Sequence, residues 1–352
     1  MSLLVVSDDD VSRITEKLTP HVLMALMALV FVRSSESAKK NGETSSQVVT
    51  PLRSVINTPE YTALFMPAHM REFGTSIKVV SVPRSSRDGL PGSTLVLDEH
   101  TGAVEAIVNA KGLTALRTAA GSTLATKLVG PAHPHVLLAF GSGKQIEAHL
   151  TLLLKTYTSI RQCIIINRTL NERLRTLLDG LRYRFPNVTF TSGSALDGVG
   201  QHGFDLKHNV LKADIICTAT SSTKPLFRSS WVKVGTHINL VGSYTPEMRE
   251  IDDDLVKRAG KILVDSREAC AHEAGELISA GISPADMVEV GEIVEIDGEG
   301  IAERVIETKS AGDVSIFKSV GIGLQDTAIA HLVVKNAIAN NIGVRVDYDR
   351  KG

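Results

Sequence analysis

Residues 135–149, HVLLAFGSGKQIEAH, join an apolar segment of the kind buried in a parallel sheet to a glycine turn and a helical pattern. Gly141 permits a tight turn, and Gly143 lets the backbone approach a bound group closely. The helix predicted to follow would direct unpaired N–H groups and the positive end of its dipole towards the turn. The stretch therefore predicts a site for phosphate groups at the end of a buried strand.

A second apolar segment, residues 163–166, ends in Asn167, Arg168 and Thr169. In dinucleotide-binding folds, a carboxylate after the second strand accepts from a free ribose 2′-hydroxyl, whereas an Arg accommodates a 2′-phosphate. Arg168 therefore favours NADP(H) over NAD(H), which stays possible. The glycine pair alone is weak evidence, because glycines also mark ordinary turns and Ile146 occupies the third small position of the usual fingerprint.

Helical and strand-like segments alternate after the turn, as is typical of βαβ units. We predict helices over residues 146–156, 171–183 and 267–280, and strands over residues 163–167, 188–191, 214–218, 237–241 and 261–265. The sequence thus predicts an α/β chain with a Rossmann fold, a doubly wound parallel sheet covered on both faces. A doubly wound domain that binds no nucleotide is the alternative.

The rest of the chain is predicted to form a discontinuous α+β substrate domain. Strand patterns over residues 77–82, 93–97 and 104–108 fall within residues 1–118, and residues 34–47 are rich in residues typical of a solvated loop. Residues 119–319 are predicted as the Rossmann domain. Residues 320–352 contain a helical pattern over 323–340 that we expect to return to the first domain.

Composition narrows the function classes. The chain has 352 residues, a 43% hydrophobic content and a net charge of −1, so neither a nucleic-acid nor a membrane partner is indicated. Its three cysteines form no CxxC pair, which is typical of small core residues in a reducing compartment. No signal-peptide pattern is present, and the apolar run over residues 22–32 is too short to span a bilayer. A cytoplasmic protein is expected.

Three histidines, His133, His135 and His149, lie close together in sequence. Two flank the first strand and the third lies on the following helix, with no carboxylate at ligand spacing. We interpret them as structural or solvent-facing side chains and predict no metal site.

Several strings together resemble the ornithine cyclodeaminase/mu-crystallin family. They are MPAH (66–69), KVVSVP (78–83), LTALRTAAGSTLATK (113–127), GSGKQIEAH (141–149), NRT (167–169), LVGSYTPEMREID (240–252) and FKSVGIGLQD (317–326). The resemblance covers the chain from about residue 53 to the C-terminal helix. It implies a homodimer formed through the first domain, and an enzyme that acts on small α-imino or α-amino acids with a nicotinamide cofactor.

The resemblance implies a substrate site. Arg53 and Arg117 match the family's carboxylate-binding arginines. Arginine suits this role because a guanidinium binds a planar carboxylate through two parallel hydrogen bonds. An Arg considered alone more often forms an ordinary salt bridge. Lys78 matches the active-site lysine that donates to or orients the imine nitrogen, although a strand lysine is more often solvent-facing. Asp326 is a candidate catalytic or helix-capping carboxylate, and Met66 is expected to contact substrate.

The cofactor is expected to contact residues of several strand ends. Thr118 and Ser142 match pyrophosphate-binding residues, Arg168 matches the 2′-phosphate contact, and Gly242 and Ser243 match the nicotinamide side. The full set is Thr118, Gly141, Ser142, Gly143, Lys144, Gln145, Asn167, Arg168, Thr169, Thr218, Ala219, Thr220, Gly242 and Ser243. Lys144 is expected either to add charge near the pyrophosphate or to face solvent.

Tyr244 distinguishes the activities within the family. Cyclodeaminases of this family typically carry an Asp two residues after the position of Gly242, and a phenol with a pKa of about 10 is a poor replacement for a carboxylate. The alternative is that Tyr244 packs against the cofactor. We therefore predict an NAD(P)H-dependent reductase of α-imino acids and cyclic ketimines, reversible as amino acid dehydrogenation. The alternatives are an ornithine cyclodeaminase that recycles NAD and a non-catalytic, mu-crystallin-like ligand-binding protein.

Overall fold

A computed structural model describes residues 2–39, 47–84, 90–194, 204–297, 300–303 and 311–348. The chain divides into two compact units. Unit 1 comprises residues 1–118 and 321–352, and unit 2 comprises residues 119–320.

The first elements belong to unit 1. They are β1 (Ser2–Val6), α1 (Asp8–Thr15), α2 (Pro20–Lys39), β2 (Val48–Val49), β3 (Ser54–Asn57), β4 (Tyr61–Met70), β5 (Gly74–Pro83), β6 (Gly92–Leu97), β7 (Val104–Asn109) and α3 (Leu113–Val129). Helix α3 begins in unit 1 and continues into unit 2.

Unit 2 continues with alternating strands and helices. They are β8 (Val136–Phe140), α4 (Lys144–Thr156), β9 (Gln162–Asn167), α5 (Glu172–Arg184), β10 (Thr189–Ser194), α6 (Leu206–Lys212), β11 (Ile215–Thr218), β12 (His237–Leu240), α7 (Asp253–Arg258), β13 (Ile262–Val264), α8 (Arg267–Glu273), α9 (Gly275–Ser279), β14 (Met287–Glu289), α10 (Val290–Ile293), β15 (Val294–Asp297), β16 (Gly300–Glu303) and β17 (Ser315–Lys318). The chain then returns to unit 1 with α11 (Gly323–Ala339) and β18 (Val344–Asp347).

Unit 2 is built on a parallel sheet whose strand order is β10-β9-β8-β11-β12-β17-β13-β14. Every neighbouring pair is parallel. The chain moves from β8 outward to β10 and then crosses back to β11, so the topological switch point lies between β8 and β11. Ligands of doubly wound sheets bind at this point, beyond the carboxyl ends of the strands. The predicted α/β fold with a doubly wound parallel sheet is confirmed.

Strand β8 is apolar throughout because both faces of the sheet are covered. Leu137 and Ala139 pack in one layer with side chains of α4 and α5. Leu138 and Phe140 pack in the opposite layer with side chains of α6, α7 and α9. Alternate residues of the one segment thus serve two cores, and all four are essentially inaccessible to solvent.

Unit 1 contains a mixed sheet with the order β18-β1-β7-β6-β5-β4-β2, in which β3 also pairs with β4. Helix α11 packs on β4, β5 and β6 and also contacts α2. Gly323 allows this packing, since a Cβ there would meet the Cβ of Ala68 at 3.1 Å and the carbonyl oxygen of Pro67 at 3.3 Å.

Helix α2 differs from expectation. We expected a loop over residues 34–47, but the helix continues to Lys39, so the prediction is wrong for residues 34–39; residues 40–46 lie outside the described ranges. Arg33 pairs with Glu36 one turn on at 3.0 Å and with Glu72 at 2.6 Å. The polar composition that suggested a loop instead forms ion pairs on a partly exposed helix.

By length and composition alone, α2 would also qualify as a membrane-spanning helix. Half of the 18-residue apolar segment in this helix is buried inside the protein. Core helices of soluble proteins can be equally long and apolar, so this is weak evidence for a membrane span. Leu23, Met27 and Phe31 are among the residues that α2 buries.

The helix predicted over residues 267–280 is in fact two helices, α8 and α9, with an extended residue, Ala274, between them. The break brings Gly275 against the neighbouring loop, where a Cβ would fall 2.0 Å from the carbonyl oxygen of Met248. Gly275 N–H donates to Ser243 Oγ at 3.1 Å. A tertiary contact therefore overrides the helical pattern.

Candidate functional site

Three elements of unit 1 bring Lys78, Arg117 and Asp326 together. Lys78 Nζ on β5 donates to Asp326 Oδ2 on α11 at 2.8 Å, and Arg117 Nε on α3 donates to Asp326 Oδ1 at 3.2 Å. All three side chains are at least 96% buried. One carboxylate therefore holds two cations, each through a separate oxygen.

Lys78 is buried because of its position in the alternation of β5. Ser76, Lys78 and Val80 share the buried face of the strand. Across the sheet, Lys78 lies between Met66 on β4 and Thr94 on β6, both of which are also buried. The alternative that Lys78 is a solvent-facing lysine is therefore wrong, and Met66 is its immediate cross-strand neighbour.

Arg117 is held by the first turn of α11 as well. Its Nη1 donates to Gln325 Oε1 at 2.8 Å, and the same oxygen accepts from Ile322 N at 3.2 Å. Gly321, with φ +85°, lies directly against the guanidinium, and Arg53 Nη2 donates to the Gly321 carbonyl at 3.3 Å. Gln325 was missed in the sequence, although it stands in the FKSVGIGLQD string beside Asp326.

Asp326 does not cap its helix. Helix α11 begins at Gly323, so Asp326 is the fourth helical residue, and its two oxygens bond Lys78 and Arg117. The capping alternative is therefore wrong. A hydrogen bond between two hydroxyl groups also joins α11 to β5, since Ser76 Oγ and Thr327 Oγ1 lie 2.8 Å apart.

Burial and charge shift the pKa values of this cluster. Burial lowers the pKa of Lys78 to about 8, an effect that Asp326 opposes and Arg117 reinforces. Burial alone would raise the pKa of Asp326, but the adjacent Arg117 and Lys78 cations hold that pKa below its ordinary value. With Arg53, which bonds the Gly321 carbonyl beside Arg117, the cluster contains three cationic side chains and one carboxylate. The cluster has an excess of positive charge and suits an anionic ligand such as a carboxylate.

Unit 2 has a cavity of about 610 Å³ at its switch point. It is lined by the glycine turn, the end of β9 and the loop after β11; the residues are Phe140, Gly141, Ser142, Gly143, Ile166, Asn167, Arg168, Thr169, Asn171, Arg173, Ala219, Thr220, Ser221, Ser222, Thr223, Lys224 and Leu226. Three of these lining residues are cationic and none is acidic.

The glycine turn is shaped to hold a phosphate group. Gly141 has φ +111°, and a Cβ there would lie 2.9 Å from the Ala219 carbonyl oxygen. Gly143 is the N-cap of α4 without a side-chain cap bond, and a Cβ on it would enter open space. Gln145 Oε1, in the first turn, is a buried acceptor with no hydrogen-bond partner. Unpaired N–H groups, a positive helix end and room for a ligand coincide here.

The turn after β9 is fixed by its own bonds. Asn167 Nδ2 donates to the Thr169 carbonyl at 2.9 Å, and Ser194 Oγ donates to the Arg168 carbonyl at 3.0 Å. The Arg168 side chain is exposed and lines the cavity together with Arg173 and Lys224.

Several other residues expected at the cofactor are not among those that line this cavity. Thr118 belongs to unit 1, where its hydroxyl donates to Thr114 O at 2.7 Å. Lys144 pairs with Glu147 at 3.0 Å on the exposed side of α4. Thr218 and Ser243 are fully buried and do not line the cavity.

The histidines are bonded within the protein. His149 Nε2 contacts Ser122 Oγ at 2.8 Å and its Nδ1 contacts Gln145 O at 2.7 Å. His135 is exposed, and its Nδ1 contacts Ser159 O at 3.1 Å. In the part of the chain that the structure describes, no three His, Cys, Asp or Glu side chains are arranged to hold a metal ion.

Residues 40–341 match the model of the ornithine cyclodeaminase/mu-crystallin family. The chain is 30% identical over 294 residues to the rat (Rattus norvegicus) protein named ketimine reductase mu-crystallin, covering 81% of this chain and 84% of that one. It is 27% identical over 316 residues to a Δ1-pyrroline-2-carboxylate reductase of Bacillus cereus, covering 86% and 91% of the two chains.

A solved structure of the Δ1-pyrroline-2-carboxylate reductase of Thermococcus litoralis, in complex with NADH and L-proline, superposes with a TM-score of 0.81. The identity is 22%, over 98% of this chain and all of that one, so this likeness concerns the fold. The family model covers most of the chain, and the relatives align over nearly their whole lengths. The chain therefore belongs to the ornithine cyclodeaminase/mu-crystallin family.

Proposed function

We propose that this protein is an NAD(P)H-dependent reductase of α-imino acids, with cyclic ketimine carboxylates as its substrate class. The observation that carries the proposal is the buried cluster of Lys78, Arg117 and Asp326 in unit 1, with Arg53 beside it. The names of the rat and Bacillus cereus relatives, a ketimine reductase and a pyrroline-2-carboxylate reductase, support the same reaction class.

The arginines suit the carboxylate of the substrate. Arg117 is buried, and Asp326, Gln325 and Gly321 limit where its guanidinium can lie. A guanidinium held in this way binds a planar carboxylate in a defined orientation and offsets the cost of burying its charge. Arg53 bonds the carbonyl of Gly321, beside the same guanidinium, and adds a second positive charge.

Lys78 suits the proton that the reaction needs. Reduction of a C=N bond adds a hydride to carbon and a proton to nitrogen; the nicotinamide cofactor, when bound, supplies the hydride. With a pKa of about 8, the Lys78 ammonium is protonated at neutral pH and acidic enough to donate to the developing amine. Asp326, hydrogen-bonded to Nζ, orients the ammonium and stabilises its charged form.

The unit 2 cavity supports a nicotinamide dinucleotide and, more specifically, NADP(H). The glycine turn and the α4 N-terminus offer N–H donors to a pyrophosphate. Arg168, Arg173 and Lys224 line the cavity at the position where a ribose 2′-phosphate is read. Among the described residues that line it, none is a carboxylate that would favour a free 2′-hydroxyl.

The test is an assay of purified protein with NADPH or NADH and a panel of cyclic ketimine acids, beside an assay of ammonia release from ornithine. Loss of reduced-nicotinamide absorbance with a ketimine, without ornithine turnover, is expected. Ammonia and proline from ornithine, with no net cofactor change, would instead identify a cyclodeaminase. Cofactor binding without turnover of any substrate would favour a ligand-binding protein.

A homodimer formed through unit 1 is part of the proposal. Leu52, Val55, Ile56 and Tyr61, on and around β3, are each more than 40% exposed, and neighbouring exposed apolar side chains of this kind mark protein interfaces. Sedimentation of the native protein is expected to give twice the chain mass, and Ile56→Glu should shift it towards the monomer. A native monomer would contradict this. We also propose a cytoplasmic location, since all three cysteine thiols are buried and unbridged.

A further inference from the structure

The carboxylate of Glu250 is fully buried in unit 2 and accepts four hydrogen bonds. Its Oε1 accepts from Thr220 N at 2.6 Å and from Thr220 Oγ1 at 2.7 Å. Its Oε2 accepts from Thr218 Oγ1 at 2.6 Å and from Gly242 N at 2.8 Å. Burial raises the pKa of Glu250, but the bonds from Thr218 and Thr220 favour the ionised form.

These donors come from two chain segments that leave adjacent strands. Thr218 ends β11, and Gly242 follows the end of β12. Gly242 packs so closely against Thr220 that a Cβ at position 242 would lie 2.1 Å from the carbonyl oxygen of Thr220. Glu250 therefore clamps the two segments together at the carboxyl ends of the strands, where doubly wound sheets bind their ligands.

Main-chain bonds of residues 249 and 250 also connect this segment to the rim of the cavity. The Glu250 carbonyl accepts from Leu226 N at 2.8 Å, and Arg249 N donates to Ser222 O at 2.9 Å. Leu226, Ser222 and Thr220 all line the cavity. Ala219, between Thr218 and Thr220, places its carbonyl against Gly141 of the glycine turn.

A carboxylate at the opposite edge of the sheet provides a comparison. Asp214 precedes β11 and accepts from His135 N at 2.7 Å and Val136 N at 2.9 Å, so it joins the starts of β8 and β11. Asp214 also pairs with Lys233 through its other oxygen and is less buried than Glu250, and it is not among the residues that line the cavity. If Glu250 only joined strands, removal of either carboxylate would affect the stability of the sheet and would not affect cofactor binding selectively.

We propose that Glu250 is a positioning residue for the nicotinamide half of the cofactor. It sets the geometry of the segments 218–220 and 241–243, without itself touching the ligand. The inference rests on the proposed nicotinamide cofactor. The glycine turn and the end of β9, which offer donors to the phosphate and adenosine half, make no hydrogen bond to the Glu250 side chain, whereas Thr218, Thr220 and Gly242 do.

The test compares Glu250→Gln with Asp214→Asn by calorimetric titration with two ligands, NADPH and 2′-phospho-ADP-ribose, which lacks the nicotinamide. A Gln amide keeps a single acceptor oxygen, so either Gly242 N or Thr220 N loses its acceptor and the clamp opens on one side. We expect Glu250→Gln to weaken NADPH binding by about tenfold or more, while binding of the fragment changes by less than about threefold. Asp214→Asn should leave both affinities within about threefold of the native values and only lower the melting temperature.

A folded Glu250→Gln that binds NADPH as the native protein does, or that loses both ligands equally, would overturn the proposal. If Glu250→Gln does not fold, Thr218→Val removes a single bond to Oε2 with little change of shape, and a loss confined to NADPH is again expected. Equal or absent losses in Thr218→Val would overturn the proposal too. Failure of the native protein to bind either NADPH or NADH is a different result and would overturn the proposed function itself.

Discussion

Gly321 lies so close to Arg117 that a Cβ at position 321 would fall 2.7 Å from both Nη1 and Nη2 of the guanidinium. Gly321 also has φ +85°, a conformation that costs other residues roughly 1–2 kcal/mol. The absence of a side chain at this position thus allows the Arg117 guanidinium to reach Asp326 and Gln325 at once.

Gly321→Ala is expected to displace the guanidinium and weaken the binding of substrate carboxylate. We expect KM for a ketimine acid to rise by about tenfold or more, because a charged hydrogen-bonded pair is misaligned. Affinity for NADPH should stay unchanged, since the cavity belongs to unit 2. Gly102→Ala is the matched control: Gly102 has φ +69° and nothing within 4 Å of the added Cβ. An equal rise of KM in both variants would contradict a role for the Gly321 contact.

The reductive rate should depend on the protonation of Lys78. Because burial lowers the pKa of Lys78 to about 8, the ammonium form that donates a proton is lost as pH rises through that value. A pH–rate profile of ketimine reduction is expected to fall on its alkaline side near pH 8. Lys78→Arg keeps the charge but is not deprotonated in this range, so this alkaline limb should disappear and the rate drop by about 10²–10⁴. An unchanged limb in this variant would assign the titration to another group.

Arg168→Ser should change cofactor preference. Removal of the exposed guanidinium leaves a 2′-phosphate with fewer cationic partners, so NADPH affinity is expected to fall by about 10–100-fold while NADH affinity holds. Arg175→Ser is the control, since Arg175 pairs with Glu172 at 3.5 Å and does not line the cavity. Equal affinities of native protein for the two cofactors, unaltered in Arg168→Ser, would argue against the NADP(H) preference.

Two buried histidines should make the fold sensitive to acid. Burial lowers the pKa values of His149 and His237 to about 4, below the ordinary value of 6.5. Between these pH values the unfolded chain binds more protons than the folded one, so stability falls as pH decreases from about 6.5 to about 4. Each histidine accounts for a loss on the order of 3 kcal/mol.

Melting temperatures measured across this pH range test the expectation. His149→Gln should lower stability at neutral pH, because the contacts with Ser122 and Gln145 change, but should make the dependence on pH less steep. His133→Gln, at an exposed histidine, should leave both unchanged. A pH dependence of the same slope in His149→Gln would show that the acid sensitivity arises from other groups.

Local patterns in the sequence were sufficient for much of unit 2. The predicted strand over residues 163–167 and helix over residues 146–156 agree with β9 and α4 to within two residues. Strands and helices are predictable here because their hydrophobic residues recur with different periods along the chain. The phosphate turn is predictable because glycine residues directly follow a buried strand. In unit 1 the pattern predicted β5, β6 and β7, but it did not predict β1, β3, β4 or β18.

The amino-acid sequence by itself determined the parallel sheet, the glycine turn and the identity of the charged residues, because these depend on neighbours within a few positions. Tertiary structure decided which charges meet: Lys78 and Asp326 are 248 residues apart and pair only after α11 packs on β5. It also decided the helix break at Ala274 and the clamp at Glu250, since both depend on loops that approach from distant strands. Burial at these points turns ordinary residues into a lysine of lowered pKa and a carboxylate with four donors, and no local pattern encodes burial of that kind.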